Sequence, residues 1–274
     1  MTFTANWRKF IVYSILSIGG VMMLAPLYWS LVTSLKSPAD AFDGRWWPAL
    51  EKIYWQNYLD VLKLLPFGRF FLNSLFIALS ITIFQVFTSS LAAYAFARLR
   101  FPGREKIFLI YLATLMVPGQ VTIIPLYFII KYFGWIDQYA GVIFPAAFTA
   151  LGTFLLRQFF MTLPRELEDA AALDGAGRFS IYWKIILPLS LPALATLGIF
   201  VFINAWNDFF WPFIVLSDPQ KLPLPVGLTK LATAHASDWT RLMAGAMIAL
   251  LPALLVYVLF QKFINKGIVL TGFK

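Results

Sequence analysis

"FFLNSLFIALSITIFQVFTSSLAAYAFA", residues 70–97, contains no Asp, Glu, Lys or Arg. The hydrocarbon core of a bilayer, about 30 Å thick, is crossed by roughly 20 apolar residues in an α-helix. Apolar side chains occupy all sides of the helical projection of this stretch, whereas a surface helix of a soluble protein keeps one polar face. The stretch therefore predicts a helix that spans a membrane.

The chain contains five more uncharged stretches of this kind. Of its 274 residues, 60% are hydrophobic and 13% are charged, whereas about a quarter of the residues are charged in soluble domains. We therefore predict an all-α integral membrane protein with six transmembrane helices, forming one transmembrane domain over residues 1–274. The first span is too long for the apolar segment of a signal peptide, so we expect it to be retained. The predicted spans are approximately 10–35, 70–97, 107–130, 138–157, 186–212 and 241–262.

The basic residues of the short loops give the orientation, because such loops stay on the cytoplasmic side. The tight loop "RLRFPGREK", residues 98–106, carries Arg98, Arg100, Arg104 and Lys106. Its side of the membrane collects 13 basic and 5 acidic residues, a net charge of +8 within the total of +9. We therefore predict that this side is the cytoplasm and that both termini lie there. Contact with membrane lipid accounts for the positive charge, and no nucleic-acid motif competes with that interpretation.

The sequence shows no motif for energy coupling or catalysis. It has no cysteine, and its single histidine, His235, falls in a predicted external loop, so we expect no metal site and no bound cofactor in this chain. It has no G-x-x-x-x-G-K-[ST] loop for ATP, and no paired carboxylates or Ser/His arrangement. We therefore predict a transport protein that is not an enzyme, and any uphill movement must draw its energy from a partner.

Uncharged polar groups lie inside or near the spans, at Asn73, Ser74, Gln85, Gln120, Asn204 and Asn207. In lipid such groups face other helices, with which they hydrogen-bond, or a wet cavity, and both interpretations stay open. Aromatic rings and amides suit the binding of carbohydrates. The segment "WNDFFWP", residues 206–212, is equally consistent with an anchor at the membrane interface. The candidate lining of a substrate path consists of Asn73, Gln120, Asn204, Trp206, Asn207 and Asp208.

The longest predicted cytoplasmic loop, approximately 162–184, contains the segment "LEDAAALDGAG", residues 167–177. We predict two short helices in this loop. Pro164 suits the first position of the first helix, and the acidic residues after it favour its positive N-terminal end. Gly175 and Gly177 are expected to end that helix.

At 100° per residue, the projection of the first helix puts Leu167, Ala170, Ala171 and Asp174 on one face, and Asp169 and Leu173 on another. Small alanines allow another backbone to approach closely. An amphipathic helix lying on the membrane surface is the alternative, but it requires more basic residues and a larger apolar face.

The spacing in this loop resembles the "EAA" signature of permease subunits of ATP-binding cassette importers. That signature has an acid and two alanines, then Gly after three residues, then Ile-x-Leu-Pro after nine more. Here an Asp stands where the family usually has Glu. The rest of the chain, including "SSLAAYAFARLRFPGR", "TLMVPGQVTIIPLY" and "AWNDFFWP", resembles the sugar-importing, maltose-type branch. The matching residues are Asp169, Ala170, Ala171, Gly175, Ile185, Leu187 and Pro188.

The resemblance implies that the loop contains a coupling helix, which docks in a cleft of an ATPase subunit. Asp169, or Glu168 beside it, would contact a basic residue of that subunit. Ala170, Ala171 and Leu173 would pack there, and Gly175 would permit the turn.

The resemblance also implies the partners and the membrane. They are a second, different permease subunit, two ATPase subunits that bind ATP and Mg, and an extracytoplasmic solute-binding protein. The membrane is the inner membrane of a bacterial cell. The implied solute is a di- or oligosaccharide or a related glycoside. Glycerol phosphate esters and glycosylated polyols are the alternatives, and a stand-alone channel or carrier fits the coupling signature less well.

Overall fold

The computed structural model describes residues 2–47, 53–234 and 238–271, with side chains described for residues 7, 9–47, 53–231 and 238–261. His235 lies outside these ranges. Within them the regular secondary structure is entirely helical, which confirms the predicted all-α class. The helices are α1 Thr2–Ser34, α2 Gln56–Leu64, α3 Phe67–Arg98, α4 Arg104–Ala113, α5 Gly119–Tyr132, α6 Tyr139–Ala146, α7 Ala150–Thr162, α8 Glu166–Leu173, α9 Arg178–Ile181, α10 Leu187–Leu189, α11 Leu191–Asn207, α12 Phe210–Val215, α13 Leu224–Ala234 and α14 Trp239–Thr271.

Three described helical segments are long and apolar enough to cross a membrane as straight rods. They are Lys9–Ser34 of α1, Phe67–Arg98 and Trp239–Gln261 of α14. Three further pairs of helices pass the same test together, but each pair is bent at a short break. The count is six if each bent pair crosses once, which agrees with the predicted number. The predicted spans 107–130, 138–157 and 186–212 are therefore wrong as single continuous helices.

The bends of the third and fourth spans lie near prolines. The angle between Arg104–Met116 and Gly119–Tyr132 is 101°. Val117, directly before Pro118, has φ −84° and ψ 116°, because a residue that precedes proline is pushed out of the α region. The angle between α6 and α7 is 41°, and Pro145 lies in the last turn of α6.

The fifth predicted span is divided twice. The segment Arg178–Leu189 makes an angle of 77° with α11, and the break lies at Ser190, with φ −97° and ψ 6°. Pro192, just inside α11, cannot donate a backbone hydrogen bond across this break. At the other end α11 stops at Asn207, because Asp208 is extended, and a separate short helix, α12, begins at Phe210.

Residue contacts divide the chain into two compact units. The first consists of Met1–Gly68 and Gly227–Leu251. Within it Asn57 is fully buried, and its side-chain amide donates to the carbonyl oxygens of Ser34 and Lys36 at 2.9 and 2.8 Å. The Arg241 guanidinium pairs with the Asp60 carboxylate at 2.7 Å.

The second unit consists of Arg69–Val226 and Pro252–Lys274. Its core includes Ile77 and Ala78 of α3, Phe160 of α7 and Tyr182, all at most 2% exposed. In this unit α7 packs against both α4 and α11, and α6 packs against α12. The second unit contains every residue of the loop that resembles the coupling signature.

Gly141 in α6 provides a test of the packing in the second unit. A methyl group at this position would lie 2.5 Å from the backbone oxygen of Trp135, whereas one at Gly198 in α11 would meet nothing closer than 3.7 Å. We expect Gly141→Ala to lose about 1–3 kcal/mol from overpacking, since the backbone oxygen cannot rotate away. Gly198→Ala gains the helix propensity of alanine, up to about 1 kcal/mol.

The measurement is the midpoint of thermal unfolding in detergent. Gly141→Ala should lower the Tm by several degrees, and the matched control Gly198→Ala should leave it unchanged or raise it. Equal values for the two variants would contradict the close approach at Gly141.

Candidate functional site

Helix α8 forms the predicted first helix of the loop between the fourth and fifth spans. It begins at Glu166, with Arg165 as its N-cap, so Pro164 precedes the helix rather than opening it as predicted. Glu166, Glu168 and Asp169 lie in the first turn, where carboxylates interact favourably with the positive end of the helix dipole.

Most side chains of α8 are exposed, and four of them form one stripe. Its members Glu166, Asp169, Ala170 and Leu173 are all exposed, and their spacing of three, four and seven places them on one helical face. Leu173 is 90% exposed. Ala171 is half-buried. Ala170 is therefore exposed together with Asp169 and Leu173.

Glu168 points in the opposite direction. Its Oε1 lies 3.0 Å from Nε of Arg98 at the end of α3, without the alignment of a hydrogen bond. Both side chains are buried, at 7% and 3% exposure. Nη2 of Arg98 also donates to the backbone oxygens of Phe160 and Leu163, the latter at 2.7 Å.

Burial separates the roles of the two neighbouring carboxylates. The carboxylate of Glu168 is held inside the chain by Arg98, whereas Asp169 is exposed. Among the residues that the structure describes, no basic side chain forms an ion pair with Asp169. Of the two acids, Asp169 is therefore the one that is accessible at the surface of α8.

A Schellman motif ends α8. The N–H of Ala176 donates to the carbonyl of Ala171 at 2.9 Å, and the N–H of Gly175 donates to the carbonyl of Ala172 at 3.1 Å. Gly175 has φ +84°, a left-handed conformation that glycine adopts without the penalty of a Cβ. The predicted turn at Gly175 is confirmed.

The second half of the signature, Ile185, Leu187 and Pro188, lies at a π-helical turn that covers Tyr182–Ile186. The N–H of Leu187 donates to the carbonyl of Tyr182, five residues earlier. Pro188 has no N–H for the carbonyl of Lys184, four residues before it, which weakens the α-helical ladder at this point. Ile185 and Leu187 are half-buried, whereas Pro188 is exposed.

Basic side chains surround the inner edge of α8. A cavity of about 420 Å³ is lined by Arg98, Arg100, Arg165 and Arg178, together with Glu168 and Asp169. A neighbouring cavity of about 680 Å³ shares Arg100 and Arg165 and adds Arg104 and Lys106. Asp169 is thus an exposed carboxylate at the edge of a positively charged surface.

The candidate substrate path corresponds in part to a third cavity, of about 380 Å³, between α3, the α6–α7 break and α11. Its polar lining consists of Gln85, Thr149, Asn204 and Asp208. Its apolar lining includes the aromatic ring of Phe148. None of its described lining residues is Lys or Arg, so its only charged group is a carboxylate.

The structure brings Asn204 and Asp208 of the predicted path together and separates them from the other four residues. Asn73 is buried, with its side-chain nitrogen donating to the carbonyls of Gln220 and Leu222, and its oxygen accepting from the Tyr139 hydroxyl. These three hydrogen bonds connect α3 to residues 220–222 and to α6, so Asn73 has a structural role.

The remaining path residues do not line the cavity either. Trp206 is 2% exposed and packs edge-to-face on Phe71. Asn207 is exposed and donates to the carbonyl of Ile203 in its own helix. Gln120 is exposed in the first turn of α5.

Sequence reasoning missed two residues of these sites, Gln85 in the cavity and Arg98 beside α8. Gln85 was recognisable as a polar group inside a span, but nothing in the sequence placed it opposite Asn204. Arg98 was counted only as one of the basic residues that give the orientation, and no sequence signal indicated its buried pairing with Glu168.

Comparisons with known proteins show the family to which the chain belongs. The sequence pattern of the family described as "Binding-protein-dependent transport system inner membrane component" matches residues 85–269. The chain is 35% identical over 262 residues to the sn-glycerol-3-phosphate transport system permease protein of Yersinia pestis bv. Antiqua, covering 93% of each chain. It is 36% identical over 206 residues to the arabinooligosaccharides transport system permease protein of Bacillus subtilis, covering 75% of this chain and 73% of the relative.

A solved structure has the same fold. It is a chain of a bacterial ABC transporter involved in the import of the acidic polysaccharide alginate. The match has a TM-score of 0.81 with 27% sequence identity and covers 94% of this chain and 96% of the other. The likeness extends over nearly the whole chain.

The two glycines after α8 allow a matched test of the Schellman motif. A Cβ at either Gly175 or Gly177 would meet no atom within 4 Å, but only Gly175 has a positive φ. We expect Gly175→Ala to cost about 1–2 kcal/mol in backbone strain, which loosens the last turn of α8. Gly177→Ala should cost nothing comparable.

Amide hydrogen exchange of the last turn of α8 measures this difference. Exchange should become several-fold faster in Gly175→Ala and stay unchanged in Gly177→Ala. Equal exchange rates in the two variants would show that the left-handed turn does not stabilise the end of the helix.

Proposed function

We propose that this chain, which belongs to the family of binding-protein-dependent transport system inner membrane components, forms half of the translocation path of an ATP-driven importer for a carbohydrate. It is a multi-pass protein of the bacterial inner membrane, with both termini in the cytoplasm. The observation that carries the proposal is the exposed stripe of α8, with Asp169 and the 90% exposed Leu173, on a loop that keeps the spacing of the coupling signature.

Docking of α8 on an ATPase subunit follows from the chemistry of the stripe. Leu173 and Ala170 offer apolar contacts, and Ala170 is small enough to let a backbone approach. Asp169 offers a carboxylate to a basic side chain of the partner. Glu168 takes no part in this contact, because it is buried against Arg98.

The proposed assembly holds a second permease subunit and two ATPase subunits, which bind ATP and Mg. An extracytoplasmic solute-binding protein delivers the solute. ATP binding draws the two ATPase subunits together, and the docked loops move the membrane helices between outward- and inward-facing states. This supplies the energy source that the chain itself does not encode.

The cavity lined by Gln85, Asn204 and Asp208 favours a neutral, hydroxyl-rich solute. Amide groups both donate and accept hydrogen bonds, and Phe148 offers an apolar face to a sugar ring. The Asp208 carboxylate would repel a phosphate group, and no Lys or Arg in the described lining would offset that repulsion.

A glycerol phosphate ester is the second candidate solute, because the relative at 35% identity over 93% of both chains is named for glycerol 3-phosphate. The distinguishing experiment is to purify the complex with its binding protein, then to measure thermal shifts of the binding protein with neutral oligosaccharides and with glycerol 3-phosphate. We expect stabilisation by a neutral oligosaccharide. Stabilisation by glycerol 3-phosphate alone would overturn the carbohydrate assignment.

Charge reversal at Asp169 tests the docking surface. Asp169→Lys should abolish ATP-driven uptake into proteoliposomes that hold the full complex, because breaking a charge pair in an interface costs about 2–5 kcal/mol. Asp169→Glu, which restores the usual residue of the signature, should retain uptake.

Asp174→Lys is the matched control for the change in net charge, since Asp174 is exposed but lies beyond the last residue of α8, at its C-cap. It should transport at a rate near that of the unmodified complex. Wild-type uptake by Asp169→Lys, or equal losses in both lysine variants, would contradict the docking role of Asp169.

Substitutions at two asparagines three residues apart, Asn204 and Asn207, test whether the cavity belongs to the translocation path. Asn204 lines the cavity, whereas Asn207 bonds to its own helix. Loss of one hydrogen bond, worth about 0.5–1.5 kcal/mol, should raise the KM for uptake of the identified solute several-fold in Asn204→Ala. Asn207→Ala should leave the KM unchanged. Unchanged KM in both variants would remove the cavity from the translocation path.

A further inference from the structure

Three side chains on one face of α3 contact the loop that carries the signature. Ser90, Tyr94 and Arg98 are spaced four residues apart, so they lie above one another on the helix. The hydroxyls of Ser90 and Tyr182 lie 2.7 Å apart, and the Tyr94 hydroxyl donates to the carbonyl of Arg178 at 3.1 Å. Arg98 completes the row by its ion pair with Glu168 of α8.

We infer that α3 is a second path by which displacement of α8 reaches the membrane, and that Arg98 is the positioning residue that joins the two helices. This inference rests on the proposed docking of α8 to an ATPase subunit. It assigns to α3 a part that the signature itself, which runs from α8 toward α11, does not include.

The ion pair is suited to transmit a displacement because both of its side chains are buried. The two side chains are 3% and 7% exposed, and separating a buried pair leaves an uncompensated charge in a medium of low dielectric constant. Arg98 is also fixed from a second direction by the backbone oxygens of Phe160 and Leu163, at the C-terminal end of α7. A shift of Glu168 therefore moves Arg98 rather than breaking the contact.

The covalent route from α8 to α11 is less direct. It passes through the Schellman turn at Gly175, the π-helical turn at Tyr182–Ile186 and the 77° bend before Leu191. In contrast, α3 is a continuous helix from Phe67 to Arg98 with no proline in its sequence. A continuous helix passes on a displacement along its axis, whereas each break can absorb part of it.

The other end of this path reaches the cavity. Gln85 lies on α3, 13 residues before Arg98, which corresponds to about 20 Å along the helix axis at 1.5 Å per residue. It faces Asn204 and Asp208 across the cavity. Movement of α3 as a rigid body thus links the position of α8 to the polar lining.

Hydrogen exchange of the reconstituted complex, with and without MgATP, tests the inference. In the unmodified complex, MgATP should change the exchange of amides both in α8 and at the end of α3, residues 90–98. In Arg98→Gln the change should persist in α8 and be lost, or reduced several-fold, in α3. A purely structural role of Arg98 would loosen both segments equally and would not separate their responses.

Glu168→Gln is an isosteric change of the other member of the pair. It should likewise keep the response to MgATP in α8 and lose it in α3, and it replaces Arg98→Gln if that variant does not assemble. Arg100→Gln is the matched control, since Arg100 is exposed two residues further on, and it should leave both responses intact. A normal response of α3 in Arg98→Gln or in Glu168→Gln would overturn the inference while leaving the docking of α8 in place. Absence of a response of α8 in the unmodified complex would instead overturn the docking, and the inference with it.

Discussion

The hydrocarbon core of a membrane offers no hydrogen-bond partners to the backbone, and this constraint determines where the chain can bend. Every N–H and C=O inside the core must be satisfied within the protein. A helix meets that condition along its length, and breaks are tolerated where proline removes a donor or where neighbouring segments supply partners. The breaks at Pro118 and at Ser190 before Pro192 follow this rule. They place irregular backbone inside two of the bent pairs of helices.

The same constraint makes the contact between Arg98 and Glu168 informative. Two charges are buried next to the end of a membrane helix, where desolvation is costly unless each has a partner. Arg98 lies beside one carboxylate, and its Nη2 donates to two carbonyl oxygens. An arginine suits this position better than a lysine, because its planar group presents several donors at fixed angles. The loop is thereby held against α3, while Asp169 stays exposed for a partner.

The sequence predicts the helical class, the number of spans and the turn at Gly175, because each depends on local composition or on a single special residue. It does not predict which amides converge. Asn73 and Asn204 look alike as polar groups in apolar stretches, yet Asn73 is satisfied by three partners from distant parts of the chain, and Asn204 lines a cavity. The difference arises from contacts between residues more than 60 positions apart, which no periodicity encodes. The burial of the Glu168 side chain could not be predicted for the same reason, since its partner Arg98 lies 70 residues earlier in the sequence.

The position of Asp208 connects the architecture to the choice of solute. It is the residue at which α11 ends and the chain becomes extended before α12, so its side chain is directed by the helix end rather than by lipid. A carboxylate at such a break accepts from the N–H of Trp211, and it also lies in the lining of the cavity. The group that stabilises the break therefore contributes the only charge to the described lining. In the proposed path a solute would meet that charge, and a hydroxyl-rich neutral molecule would fit there better than a phosphate ester.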